Sequence, residues 1–325
     1  MNPTLEKALV QLHTRNIKIT RDLIKEHEHQ GFMSTVYTAE SNIGKLIVQI
    51  TKLLAEHENN KAWEKFQGLG TILAAHPEIP TSKILYADYI DGSCVIAQTF
   101  LEGERAGERV LEEMKIIDEW HADESDALPK VLKALAATNA VTLDSFGWQA
   151  MNTNTDRVVY SSWREFLEKE SPRWIEVISM AEEGRSDAVL THEKLEKFVR
   201  NTIAKVDYDG PPVLVHGDAI NPSNVLVHNN DIALLDWEWA IAADPAWEFC
   251  DIGWKQYRDE ESLAPYFEAA DIPASEQRVF IERINLYVPF WLLWGAHMHT
   301  KSGNMELYLA LRNAFLEEIG SSDAI

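Results

Sequence analysis

Residues 213–236 place an Asp, an Asn and a second Asp at positions 218, 224 and 236, in a stretch whose turns can be read from residue type. The apolar run 213–215 leads into His216-Gly217-Asp218, and two further apolar pieces, 225–227 and 232–235, flank His228-Asn229-Asn230-Asp231. Asn tolerates the positive φ of a tight hairpin turn, so Asn229-Asn230 is predicted to be the turn of an antiparallel pair. His228 then faces Asp231, Asn224 stands opposite Leu235, and Asp236 emerges beside Asn224 at the end where Asp218 has been delivered. Two carboxylates and a carboxamide thus converge at one sheet edge. One Asp to orient a hydroxyl, with an Asn and an Asp as oxygen ligands for Mg²⁺, is equipment for phosphoryl transfer from ATP. Alone, Asn221-Pro222-Ser223 is a turn, since these residue types form turns. It is His216-Gly217-Asp218 before it and Asp236-Trp237-Glu238 after it that turn the string into a specific signal. His228 reads as an exposed residue beside the turn.

The string resembles the signature of the aminoglycoside phosphotransferase and choline kinase superfamily: His-Gly-Asp, a short spacer, Asn, and an Asp at the end of the next hairpin. The corresponding protein-kinase motifs are H-R-D-x-x-x-x-N and D-F-G. The resemblance implies that Asp218 is the catalytic base and that Asn224 and Asp236 are the metal ligands. The family's usual spacing from Asp to Asn is five residues. Here Asn224 lies six on and Asn221 three on, and the hairpin register favours Asn224. Ala243-Asp244-Pro245-Ala246-Trp247-Glu248-Phe249-Cys250-Asp251 is similar to the family's Gly-Asp-Pro-x-x-Asp-Leu-Ala segment. Glu248 takes the place of an acid that accepts backbone N–H bonds from the catalytic loop, and His216 that of a residue packed beneath it. Asp244 and Asp251 read as plain cap and surface residues.

The elements that must position these groups begin with an amphipathic helix over 3–14, where Leu5, Ala8, Leu9 and Leu12 share a face. Strands are predicted at 22–28, 33–40, 44–51, 82–89 and 93–100, with a helix at 60–75 ended by His76-Pro77. His29-Gln30-Gly31-Phe32-Met33-Ser34-Thr35 joins the first two strands, and its Gly and hydroxyl residues, Ser34 among them, could let backbone N–H groups approach phosphates. Gln98-Thr99-Phe100-Leu101-Glu102-Gly103 ends the sheet; in kinase-like enzymes this stretch binds adenine, which implicates Gln98 and Phe100. Kinases also use a strand-three Lys held by a helix Glu. The helix supplies Glu64, but the matching strand position is Gln49. Lys45 lies near the strand's start, and Lys52 would point to the opposite face.

Beyond 104 the chain reads as helical at 106–120, 128–140, 161–182, 190–206, 245–257, 260–269, 275–300 and 303–318. Trp291 and Trp294 read as core. Phe146-Gly147-Trp148 and Ser162-Trp163-Arg164-Glu165-Phe166-Leu167 are similar to segments of antibiotic-type phosphotransferases, including hygromycin B phosphotransferases. The expected fold is α+β and two-lobed, like a protein kinase. Its N-lobe, 1–100, has a small antiparallel sheet and one main helix, and its C-lobe, 101–325, is larger and mainly helical.

Composition narrows the partners. The chain has 325 residues, is 46% hydrophobic and carries a net charge of −22. That charge argues against nucleic acid or an anionic membrane as partner and is compatible with a cationic small molecule. With two cysteines and no continuous apolar N-terminal segment, a cytoplasmic monomer or homodimer is expected. The expected activity is transfer of the γ-phosphoryl group of ATP or GTP, with Mg²⁺, to a hydroxyl of an aminoglycoside-like or amino-sugar acceptor. Glu238 is a candidate to meet a cationic acceptor. The alternatives are a metabolic kinase for choline, ethanolamine or a sugar, and a nucleotide-binding protein with little catalysis. A protein kinase is disfavoured because no activation-loop-like segment separates Asp236 from Asp244-Pro245.

Overall fold

Alternation of small and branched residues in the first hundred positions builds a five-stranded antiparallel sheet. The computed structural model describes residues 2–27, 34–52, 62–154 and 156–320. The sheet has the order β1-β2-β3-β5-β4, with β1 (Lys25–Glu26), β2 (Ser34–Ser41), β3 (Gly44–Lys52), β4 (Ile84–Ile90) and β5 (Ser93–Thr99). Leu46, Val48 and Ile50 point to one face, where they pack with Leu5, Leu9 and Leu12 of helix α1 (Pro3–Thr14). Ala87, Cys94 and Ile96 line the other face against Trp63 and Phe66 of α2 (Ala62–Ala75). Of the strand expected over 22–28, only Lys25–Glu26 form β1; Asp22 and Leu23 belong to the 3₁₀ turn Arg21–Leu23, and residue 28 lies outside the described residues. The proposed phosphate-approaching residues His29–Met33 and the side chain of Lys52 lie outside the described residues.

The chain divides into two compact units, residues 1–103 with 151–157, and residues 104–150 with 158–325. In the second unit, β6 (Glu104–Arg105) pairs with β10 (Val225–His228), which in turn pairs with β11 (Asp231–Leu234). A second small pair joins β9 (Val213–Val215) to β12 (Ile241–Ala243). Around them stand α3 (Glu124–Asn139), α4 (Trp163–Glu182), α5 (His192–Ile203), α6 (Ala264–Ala269), α7 (Ala274–Ser302) and α8 (Met305–Gly320). Trp291 and Trp294 are buried along α7, and Trp294 stacks on Trp148 with ring centroids 4.9 Å apart. Among the described residues no helix is long and apolar enough to cross a membrane.

Two helical expectations fail. Residues 106–120 form a hairpin, β7 (Gly107–Glu112) and β8 (Lys115–Trp120), turning on Glu113 and Met114 at φ 46° and 60°. Glu, Leu, Met and Lys favour helix, but propensity is a weak prior against tertiary pairing. Here Arg109 is drawn onto buried carboxylates, described below. Residues 245–257 form two 3₁₀ segments, Pro245–Phe249 and Ile252–Tyr257. Asp251, extended at ψ 146°, breaks them apart and caps the second by accepting from the Gly253 N–H.

Candidate active site

The hairpin β10–β11 has the register that the Asn229-Asn230 turn predicts. His228 faces Asp231 and Val225 faces Leu234, with Asn229 and Asn230 at φ 48° and 70°. One residue further, the Leu235 N–H donates to the Asn224 carbonyl at 2.8 Å. The Leu235 carbonyl in turn accepts from His216 Nε2 at 2.9 Å. One peptide segment therefore ties the two halves of the motif together.

His216 is fully buried, lies against Trp237, and accepts at Nδ1 from the Asp218 N–H at 3.3 Å. These two bonds assign the Nε2–H tautomer. Glu248 accepts from the His216 and Gly217 N–H groups at 2.7 and 3.2 Å. Its burial pushes the carboxyl up to about 7, against those N–H groups and the Asn139 amide, which favour the charged form. Gly217 adopts φ 85°, and a Cβ there would sit 2.7 Å from the Trp239 carbonyl, so this turn requires glycine.

The loop aims Asp218 and the two asparagines at one another. Asn224 Nδ2 donates to the Asp218 carbonyl at 3.0 Å and to its Oδ2 at 2.7 Å. Its Oδ1 accepts no hydrogen bond among the described residues. Asn221 differs: its Oδ1 accepts from the Ser223 N–H at 3.1 Å and from Ser223 Oγ at 2.6 Å, capping the turn Pro222–Asn224. Asn224 thus has the oxygen to give to a cation, whereas Asn221's is spent on the turn. Asp236 is exposed, in the left-handed region at φ 59°, and its charge reaches both Asp218 and Arg105. Glu238 is half-buried in the turn Trp237–Trp239 that follows.

Sequence reasoning missed Arg109. Directly opposite Asp118 across the β7–β8 hairpin, it reaches Asp118, Asp218 and Asp251 together. Asp251, expected at the surface, is buried, as is Asp244, which caps Ala246 and accepts from Tyr287. Burial pushes Asp218 up to about 8, with Arg109 pulling it down and the Asp251 and Asp236 charges adding to the rise. The Arg109 guanidinium is held well above its ordinary value, its carboxylate partners outweighing the burial that disfavours its charge. A cross-strand Arg–Asp pair was the available signal, hidden by reading the segment as helix.

The residues expected on the nucleotide side all lie in the first unit. Gln49 points to the α2 face of the sheet, and its Nε2 donates to Ser34 Oγ at 2.9 Å. Ser34 in turn shares a 2.7 Å hydrogen bond with Thr51. Glu64 on α2 is buried and receives Asn154 Nδ2 at 3.4 Å. Its Oε2 is buried without a hydrogen-bond partner among the described residues. Gln98 accepts from Ser82 at 2.9 Å, and Phe100 lies under Lys45, whose Nζ stands 3.6 Å from the ring centroid.

Comparison with known proteins supplies the family. The model of the phosphotransferase enzyme family matches residues 29–279. No curated protein matches the chain by sequence. Among solved structures, an ethanolamine kinase of Plasmodium vivax is similar over 93% of this chain and 82% of its own, with a TM-score of 0.61 and 12% identity. The choline kinase of Streptococcus pneumoniae covers 98% and 99%, with a TM-score of 0.53 and 10% identity. A spectinomycin phosphotransferase, solved with ADP and spectinomycin, covers 98% of both chains, with a TM-score of 0.53 and 14% identity. At such identities the likeness is one of fold, and that fold is the kinase-like α+β fold. With the family's model spanning most of its length, this chain belongs to the phosphotransferase enzyme family.

Proposed function

We propose that the protein transfers the γ-phosphoryl group of ATP (or GTP), with Mg²⁺, to a hydroxyl of a small amine-bearing acceptor, an aminoglycoside-like or amino-sugar molecule first. The observation that carries this is Asn224 Nδ2 tied to the Asp218 carboxylate while its Oδ1 accepts no hydrogen bond among the described residues, with the Asp236 charge acting on Asp218. Asp218 orients the acceptor hydroxyl and takes its proton. Asn224 and Asp236 are the residues that would hold Mg²⁺, whose charge neutralises the transferring group when bound. His216 and Glu248 keep the loop in shape, so catalysis rests on positioning more than on a strong base.

On the nucleotide side, the reading takes Gln49, Ser34 and Glu64 toward the phosphates and the Gln98–Phe100 backbone toward the base. Two observations support an amine-bearing acceptor. The net charge is −22, and the similar structures are named for ethanolamine, choline and spectinomycin, all of which carry cationic nitrogen. Glu238, two residues past Asp236, is the carboxylate we assign to such a nitrogen. Gln49, neutral and tied to Ser34, favours a second reading, a nucleotide-binding protein with little turnover.

The test is ADP or GDP release with Mg²⁺ against kanamycin, spectinomycin, glucosamine, choline and ethanolamine, with Asp218→Ala as control. Mass measurement should find one added phosphoryl group. Turnover lost in Asp218→Ala is expected; tight nucleotide binding with no acceptor phosphorylated would favour the second reading.

A further inference from the structure

We infer that Arg109 is a positioning residue for the reaction: its guanidinium, locked by Asp118 and Asp251, fixes the aim of the Asp218 carboxylate. The inference rests on the phosphotransfer reading above. A guanidinium has five N–H donors, and here every one is used. Nε donates to Asp118 Oδ1 at 2.6 Å and Nη2 to Asp118 Oδ2 at 2.8 Å. Nη2 also donates to Asp251 Oδ1 at 2.7 Å, and Nη1 to Asp251 Oδ2 at 3.1 Å. The remaining Nη1 donor reaches Asp218 Oδ1 at 3.1 Å. With no donor left, Arg109 in this arrangement cannot itself bind a phosphate or an acceptor, which separates a positioning role from a catalytic one.

Asp218 is held at both ends as a result. Oδ1 is fixed by Arg109, and Oδ2 by Asn224 at 2.7 Å and Asn221 at 3.4 Å. The Arg109 and Asp218 side chains are 18% and 16% exposed, so the contact is shielded from water and salt. Two paired carboxylates already satisfy the guanidinium as a structural strut. Bringing a third against it adds like-charge repulsion, which works against stability and is the kind of arrangement that marks functional sites. The clamp is also built in from a second side. Asp251 Oδ1 caps the Gly253 N–H at 2.7 Å, and a Cβ at Gly253 would lie 2.3 Å from Asp118 Oδ2 and 3.0 Å from Arg109 Nη2.

The experiment is a double-mutant cycle on kcat with Mg-ATP, using the fastest acceptor of the panel above, or water as acceptor if hydrolysis is faster. Arg109→Ala is expected to lower kcat by about 30-fold or more, with the KM for ATP and the affinity for Mg-ADP changed less than about twofold. Added guanidinium ion should restore about tenfold of that loss, while sodium at equal strength should not. In an Asp218→Asn background, removing Arg109 should cost less than about twofold, because the two residues act as one unit. Losses that multiply in the double variant, or an Arg109→Ala enzyme as fast as wild type, would overturn the inference. If Arg109→Ala does not fold, Arg109→Lys keeps the charge without the fork and enters the same cycle, where about tenfold loss is expected. Wild-type enzyme that binds nucleotide but releases no ADP with any acceptor, water included, would sink the phosphotransfer reading itself. That outcome is distinct from an active enzyme indifferent to Arg109.

Discussion

Asn221 and Asn224 have the same side chain three positions apart, and their surroundings give them different work. Asn221 Oδ1 caps a 3₁₀ turn, whereas Asn224 Oδ1 accepts no hydrogen bond among the described residues and is the oxygen our proposal gives to Mg²⁺. Asn221→Ala is therefore expected to cost about 1 kcal/mol of stability, the usual loss for such a cap, with activity kept within a few-fold. Asn224→Ala should lower kcat about 100-fold and raise the Mg²⁺ concentration needed for half-maximal rate. Thermal melts and Mg²⁺ titrations of the two variants check both outcomes. At Gln49 the expectation is a gain. Lys there gives up one bond to Ser34 and brings a charge-assisted contact to phosphate, which should tighten Mg-ATP binding about tenfold by calorimetry. The register that sets Val225 against Leu234 was legible because a two-residue turn fixes it by counting alone. Arg109 was not, since its cross-strand partner Asp118 was hidden by the helical reading and Asp218 lies 109 positions away.

At the scale of elements, the β10–β11 and β7–β8 hairpins make opposite cases. The first declares itself through two asparagines that accept positive φ. The second turns on Glu113-Met114, residues that rarely take that conformation, and its strands mix helix formers with the strand formers Val110, Ile116, Ile117 and Trp120. The half-buried residues Ile116, Asp118 and Trp120 do alternate with exposed ones, but an Asp among them masks the period. Tertiary ion pairing, not local preference, decides this element. Its fit against the turn Ile252–Tyr257 is tight at Gly253. Gly253→Ala should push Asp118 and Arg109 off their places and lower kcat about tenfold, with a loss of about 1–3 kcal/mol from overpacking. Kinetics and a denaturant melt on that variant decide it.

Over the whole molecule, most elements were legible from period and breakers: α1, α2, the sheet of the first unit and the long helices of the second. What was not legible is where buried charge goes. Glu182 at the end of α4 accepts from Arg312 at 2.7 Å and Tyr308 at 2.7 Å, both on α8, and from the Val189 N–H at 3.0 Å. Burial raises its carboxyl, but Arg312, Tyr308 and the backbone N–H groups outweigh it, and the net direction is down. A carboxyl lowered by folding binds fewer protons in the native state than in the unfolded one. Its stabilisation is therefore full above the unfolded value near 4.5 and is lost as pH falls through the lower folded value. Glu182→Gln should flatten the acid limb of stability below that range and cost roughly 3 kcal/mol near neutrality, by leaving buried Arg312 with only the exposed Asp187 carboxylate at 3.8 Å as counter-charge. Urea melts across pH 3 to 7, on the order of one per half unit, measure both effects.

Leu235 carries a further consequence. Its backbone N–H and C=O join Asn224 to His216, while its half-exposed side chain enters neither bond. A scan that swaps side chains would score this position as dispensable, because Ala, Met or Thr leaves both bonds in place. Proline, which has no N–H to give, should abolish activity there. The link on which the motif's two halves depend is thus written in the chain's length and peptide groups. It leaves no mark in residue identity, and tolerance at Leu235 would be mistaken for irrelevance.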